Sequence, residues 1–134
     1  MRVLLDTHAI VWWQADGQRL SVRAAREIAR ADGILISPIS CWEVATLAVR
    51  NRIALDRDVY GRTRDLLDQD QVELAALTPQ AAVAAALLGQ QGFHGDPADR
   101  FLYATARDLV VPLVTKDATI RDYARGAGDV RTIW

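Results

Sequence analysis

Four acidic residues stand where a polypeptide can do phosphate chemistry: Asp6, Glu43, Asp99 and Asp117. Asp6 directly follows the apolar run Val3-Leu4-Leu5, and Asp117 follows Leu113-Val114-Thr115-Lys116. Glu43 falls in the first turn of the helix expected after a second apolar run, Ile34-Leu35-Ile36. Asp99 falls in the first turn of a helix that precedes the run ending at Val114. In open parallel sheets, sites collect at the carboxyl ends of the strands. Such a sheet would bring all four acids to one rim. Carboxylates brought together repel, and their pKa values rise unless a cation intervenes. Mg²⁺ and Mn²⁺ prefer carboxylate and water oxygens. His8 and His94 are the only histidines and Cys41 the only cysteine, so no zinc or thiolate cluster competes. A carboxylate-held metal with open water positions suits phosphodiester hydrolysis, because it activates water and neutralises charge on phosphate oxygens; two ions would lie ~4 Å apart.

Each acid also has a purely structural use. Asp6 can cap the segment beginning at Thr7, and Asp117 the helix beginning at Ala118. Ser40-Cys41-Trp42-Glu43 has the S-x-x-E form of a capping box, which would occupy Glu43 locally. Asp99 at a third helical position favours the helix dipole, and Asp96 before Pro97 is a natural N-cap.

The elements that must position these residues alternate along the chain. Strands are expected at 3–5, 34–36, 72–74, 110–114 and 130–133; Pro112 suggests an edge or early position for the fourth. Helices are expected at 7–14, 22–30, from Ser40 to about 51, 58–68, 79–89, 98–107 and 118–125, with 90–95 as a loop. In the second of these helices Val22, Ala25, Ile28 and Ala29 would form the apolar stripe, with Arg23, Arg26, Glu27 and Arg30 mostly outside it. Alternation of this kind predicts an α/β fold with a mainly parallel central sheet flanked by helices. No linker, repeat or low-complexity tract interrupts it, so residues 1–134 read as one domain.

Composition is consistent with that. At 134 residues with 51% hydrophobic and 25% charged, the chain can bury a core and is not of the disordered class. The net charge of −1 lacks the strongly basic character common among nucleic-acid-binding domains. Lys116 is the only lysine, the other basic residues being arginines, which suit bidentate phosphate contacts but also follow genomic base composition. Cys41, beside Trp42, reads as a buried structural thiol, and a reducing cytoplasm fits a chain with no possible intrachain disulfide. Asp6 and His8 interrupt the apolar N-terminus, so neither a signal peptide nor a membrane span is expected.

Four ordered segments carry a resemblance to a known family: Leu4-Leu5-Asp6-Thr7-His8, Ser40-Cys41-Trp42-Glu43-Val44-Ala45, His94-Gly95-Asp96-Pro97-Ala98-Asp99-Arg100-Phe101-Leu102 and Leu113-Val114-Thr115-Lys116-Asp117. Together they make the chain resemble PIN-domain ribonucleases, in particular the VapC toxins of bacterial toxin–antitoxin pairs. The resemblance implies a PIN fold and an acidic quartet of Asp6, Glu43, Asp99 and Asp117 around Mg²⁺ or Mn²⁺. It implies Asp6 and Asp99 as the most direct ligands, with Asp117 and Glu43 binding a second ion or orienting water. Asp96 matches the extra acid of a D-P-x-D-R variant, and Thr7 and Thr115 match hydroxyl positions that hold carboxylates or water. The resemblance further implies an RNA substrate, a homodimer, and a cognate antitoxin that lays an apolar segment in a groove and blocks the site. Trp12, Trp13 and Trp42 are candidates for that surface, with core packing as the alternative. Arg100 could contact phosphate or an antitoxin carboxylate, or simply be solvated. Cys41 departs from the larger apolar residue common at its position, which touches no catalytic role.

Other readings fit less well. Haloacid-dehalogenase-like phosphatases need a second aspartate two residues after the first, where this chain has His8. Receiver domains need a pair of acids near the end of strand one, and none is present. A PIN-like module that only binds RNA or protein would have no use for clustered carboxylates, which repel phosphates when no metal is bound.

Overall fold

The computed structural model describes residues 1–134. Five strands and seven helices alternate: β1 (Arg2–Leu5), α1 (Thr7–Gln14), α2 (Val22–Arg30), β2 (Gly33–Ile36), α3 (Pro38–Val49), α4 (Val59–Leu67), β3 (Val72–Leu74), α5 (Pro79–Leu88), α6 (Pro97–Leu109), β4 (Leu113–Val114), α7 (Ala118–Ala127) and β5 (Thr132–Ile133). The strands form one sheet in the order β3-β2-β1-β4-β5, and every pairing is parallel.

The sheet is covered on both faces, which is why its strands are short unbroken apolar runs. Successive side chains point to opposite faces. Leu4, Leu35 and Leu113 pack with Phe93, Leu102 and Tyr103 under α5, α6 and α7. Val3, Leu5, Ile34, Ile36 and Val114 pack on the other face with Ala9, Ile10, Ala24, Ile28 and Leu66 of α1, α2 and α4. Phe93, Tyr103 and Tyr123 form an aromatic triad with centroids 5.0–5.4 Å apart, anchoring the loop that leads into α6.

From β1 the chain steps outward through β2 to β3, then returns to the other side of β1 for β4 and β5. The direction reverses between β1 and β4. That reversal opens a crevice at the carboxyl ends of these two strands.

The structure corrects several local expectations. α3 is capped by Ser37, whose Oγ accepts from the Ile39 N–H at 3.2 Å, with Pro38 in the first turn. Proline suits that position because its ring presets the helical φ and its missing N–H is not needed there. The helix therefore starts before Ser40, and no capping box forms with Glu43. β4 is internal to the sheet, not an edge, and begins only at Leu113. Val110 closes α6 in a left-handed conformation (φ 55°), and Pro112 lies ahead of the strand, contributing its carbonyl to the Leu4 N–H at 2.9 Å. On α2 the buried positions are Ala24 and Ile28; Val22, Ala25 and Ala29 face solvent. A stripe i, i+4 wide is enough to seat a short helix on a sheet, and it need not be the most hydrophobic arc. The turn Gly89–Gln91 is a 3₁₀ continuation of α5, α7 extends to Ala127, and Cys41 is half-buried.

Leu4 has no solvent exposure and sits at the middle of the sheet. Leu4→Ala should lower unfolding free energy by about 2–5 kcal/mol in urea titrations, as large-to-small changes at rigid core sites do.

Candidate active site

Asp6 follows β1, and its N–H donates to the Val114 carbonyl at 2.9 Å, so the strand pairing continues to the carboxylate itself. The side chain is only 6% exposed. Its Oδ1 accepts from the Thr7 N–H at 2.6 Å, opening α1, and its Oδ2 accepts from the Thr115 hydroxyl at 2.6 Å. Thr115 in turn accepts from the Asp117 N–H at 3.0 Å. Asp117 caps α7, accepting from the Ile120 N–H at 2.9 Å. One threonine thus ties two of the acids together.

A second hydroxyl relay holds Glu43. Thr7 donates to Glu43 Oε1 at 2.5 Å and lies 3.0 Å from the buried Ser40 Oγ. A hydroxyl has one proton. With that of Thr7 given to Glu43, Ser40 donates to Thr7. Ser40, expected as a helix cap, is instead the root of this relay. Asp96 caps α6, its Oδ1 accepting from the Asp99 N–H at 3.0 Å, and this turn brings Asp99 to the cleft.

Asp6, Glu43, Asp96, Asp99 and Asp117 line one cleft of about 350 Å³ together with His8, Trp12 and Lys116. The four acids singled out from the sequence are therefore brought together, with Asp96 beside them. No three of the carboxylates close into a tight coordination set; they ring an open cleft. Thr7 and Thr115 support it from beneath. Arg100 is not brought in: its Nε donates to the Gly95 carbonyl at 3.0 Å, and its guanidinium lies against Gly89. Trp42 is 60% exposed and away from the cleft, whereas Trp13 is half-buried against the core. Trp12 lines the cleft, with the Lys116 ammonium 5.7 Å from its ring centroid. Lys116 and His8 bring positive or proton-carrying groups to the rim. Their signal in the sequence was adjacency, one residue before Asp117 and two after Asp6.

Asp6, Glu43 and Asp99 resist ionisation. Burial pushes the Asp6 carboxyl up, against the opposing hydrogen bonds from Thr115 and Thr7. Burial also raises Glu43, which the Thr7 hydroxyl partly offsets. Asp99 is pushed up to about 8, first by burial and then by the charges of Asp96, Asp6, Asp117 and Glu43. No hydrogen bond relieves it. The donor set is all hard oxygen, with mutual repulsion that a divalent cation would remove, and it fits Mg²⁺ or Mn²⁺.

Comparison with known proteins agrees with this fold. The PIN domain family matches residues 3–126. Ribonuclease VapC22 of Mycobacterium tuberculosis is 41% identical over 121 residues, spanning 90% of this chain and 91% of the relative. VapBC2 from Rickettsia felis, solved bound to a DNA fragment from its promoter, superposes with a TM-score of 0.68 at 15% identity, over 98% of this chain and 97% of that one. VapBC-1 from nontypeable Haemophilus influenzae does so with a TM-score of 0.67 at 18% identity, over 98% and 96%. These two structural likenesses establish the fold. With the family match and the relative at 41% identity, the chain belongs to the PIN-domain family, in its VapC branch.

The pKa of Asp99 gives the metal-free protein a pH dependence of stability. Below about pH 3.8 folded and unfolded chains both hold its proton. Between that pH and about 8 the unfolded chain has ionised while the folded one resists, so stability falls as pH rises. Above about 8 the penalty is constant. In EDTA, Tm should drop by several degrees more between pH 5.5 and 8.5 in the wild type than in Asp99→Asn, measured by thermal circular dichroism. An identical pH dependence in the two would refute the assignment.

Proposed function

We propose that this chain is a metal-dependent endoribonuclease, the toxin of a toxin–antitoxin pair, acting as a single catalytic domain of residues 1–134. The observation that carries the reading is the ring of five carboxylates at the strand reversal, with the Asp99 carboxylate left without a hydrogen-bond partner. Asp6 and Asp99 would hold Mg²⁺ or Mn²⁺, and Asp117 and Glu43 would hold a second ion or orient water. A bound divalent ion supplies Lewis acidity, lowering the pKa of water and neutralising charge on the phosphate.

The chain's own residues do the positioning. Thr115 and Thr7 fix the Asp6 and Glu43 carboxylates, so these do not reorganise when charge develops. Lys116 at the rim attracts the phosphodiester into a cleft that is otherwise anionic. Hydrolysis adds a water oxygen to phosphorus and breaks one P–O ester bond, leaving a phosphate monoester and a free hydroxyl. Asp117 or Glu43, both lining the cleft, would take its proton. The ribonuclease name of the 41%-identical relative supports RNA as the substrate class. That the solved structural neighbours are VapBC complexes supports a cognate antitoxin as partner. A homodimer and a cytoplasmic location follow from the family reading. No helix is long and apolar enough to cross a membrane.

Asp6→Asn should reduce cleavage of single-stranded RNA by at least about 100-fold while far-UV circular dichroism stays unchanged, because the amide keeps the shape and an acceptor oxygen for the cap but loses the charge that would hold the metal. Full activity in that variant would sink the metal mechanism. EDTA should stop cleavage by the wild type, and added Mg²⁺ or Mn²⁺ should restore it. Cleavage indifferent to the chelator would rule out the metal mechanism.

A further inference from the structure

A strongly anionic cleft cannot by itself hold a polyanion. Most of the affinity for RNA comes from cations that neutralise phosphates, and it falls off within a Debye length of about 8–10 Å in physiological salt. The chain needs cations close to the cleft, and Lys116 is the only lysine or arginine that lines it.

A cleft of about 270 Å³ between α2, α7 and β5 supplies them. It is lined by Arg23 of α2, Arg121 and Arg125 of α7, Thr132 of β5 and Trp134. Arg125 pairs with Asp122 at 3.0 Å, both largely exposed. Arg23 and Arg121 form none of the chain's six ion pairs. β5 is an edge strand. The Arg131 and Ile133 carbonyls accept from Leu113 and Thr115 of the β4 side, so the intervening Thr132 turns its own N–H and carbonyl to the open edge. Unpaired guanidiniums beside a hydroxyl and a free edge N–H make a set of donors with no carboxylate in the lining.

The two clefts share a wall. Trp12 lines the acidic cleft and Trp134 the arginine cleft, and their rings pack with centroids 5.7 Å apart at 54°. Lys116 sits over Trp12. From the carboxylates outward the surface therefore runs Lys116, Trp12, Trp134, then Arg121 and Arg23. Aromatic faces flanked by cations are what a single strand needs, since phosphates pair with the cations and bases stack on the rings.

We propose that this arginine–tryptophan arm is the binding track for single-stranded RNA, holding the strand by its backbone on one side of the scissile phosphate. The inference rests on the RNA-cleaving reading of the acidic cleft. The arm positions substrate and takes no part in the bond-breaking step. Its contacts are to phosphate and base faces, so it confers affinity without sequence preference.

The test uses fluorescence anisotropy with a labelled single-stranded RNA of mixed sequence in Mg²⁺, in an Asp6→Asn background that prevents turnover. Removing two phosphate contacts by Arg23→Gln with Arg121→Gln should weaken binding about tenfold or more and flatten the dependence of log K on log salt by about 1.4. Trp134→Ala should weaken binding and leave the salt slope intact, because stacking releases no counterions, and Trp134→Phe should recover most of the loss. Arg50→Gln with Arg52→Gln, exposed and outside both clefts, should change neither quantity. In the otherwise wild-type protein the Arg23/Arg121 pair should raise KM far more than it lowers kcat. Unchanged affinity and slope in that pair, with a wild type that cleaves, would overturn the track. Retained RNA affinity with loss of a copurifying antitoxin would overturn it too, by assigning the arm to an acidic protein. A wild type that neither binds nor cleaves RNA would instead overturn the reading of the acidic cleft.

Discussion

The pairing of β1 with β4 is the contact on which the site depends. It sets Leu5 beside Val114 and carries on past the strands, so Asp6 and Thr115, 109 residues apart, meet through a 2.6 Å hydrogen bond. A carboxylate as buried as Asp6 is costly to ionise without donors, and Thr115 with the Thr7 N–H supplies them. Thr115 also fixes the Asp117 backbone. If this parallel pair is disturbed, two of the acids lose their anchors at once. The site is therefore a property of the sheet's centre, where exchange with solvent is least and geometry is most firmly set.

A second constraint follows from crowding the acids together. Asp96 and Asp117 each spend one oxygen on a helix cap, Asp6 opens α1, and Glu43 leans on Thr7. These local bonds hold the carboxylates in place against their mutual repulsion. Asp99 is the exception, and it is the group whose proton is held up to about 8. Electrostatic repulsion of this kind, maintained by surrounding structure, is typical of a site whose charge is completed by what it binds. The same crowding creates a need for cations beyond the rim, which arginines on α2 and α7 meet.

Helix starts were legible where a capping side chain is followed by a regular pattern. Ser21, Thr78, Asp96 and Asp117 each cap the helix read from them, and Asp58, read as the first residue of its helix, is the cap. Ser40 misled because Ser37-Pro38 offers an equally good start three residues earlier, and proline takes precedence at a first turn. That shift freed Glu43 from a capping box and released it to the cleft. Pro112 allowed either an edge or an early strand position. The edge is excluded because β4 lies inside the sheet, and the missing N–H falls just before the ladder, where it costs no bond. The α2 stripe was misassigned because Ala24 and Ala25 are indistinguishable by hydropathy, and only the sheet beneath decides which of them is buried.

The sequence by itself determined that strands and helices alternate, that Asp6 and Asp117 follow strands, and that Asp96 and Asp99 share a helix start. These follow from local chemistry: apolar runs, caps and turn residues act over a few positions. Only the tertiary structure decided that β1 lies between β2 and β4, which is what turns separate acids into one ring. It also decided that Thr7, Ser40 and Thr115 are the groups holding the ring, that Arg100 stays with its own loop, and that Trp12 meets Trp134. Strand order and side-chain convergence depend on contacts between residues far apart in the chain. Those contacts are settled by how two apolar faces are buried at once, and no short segment carries that information.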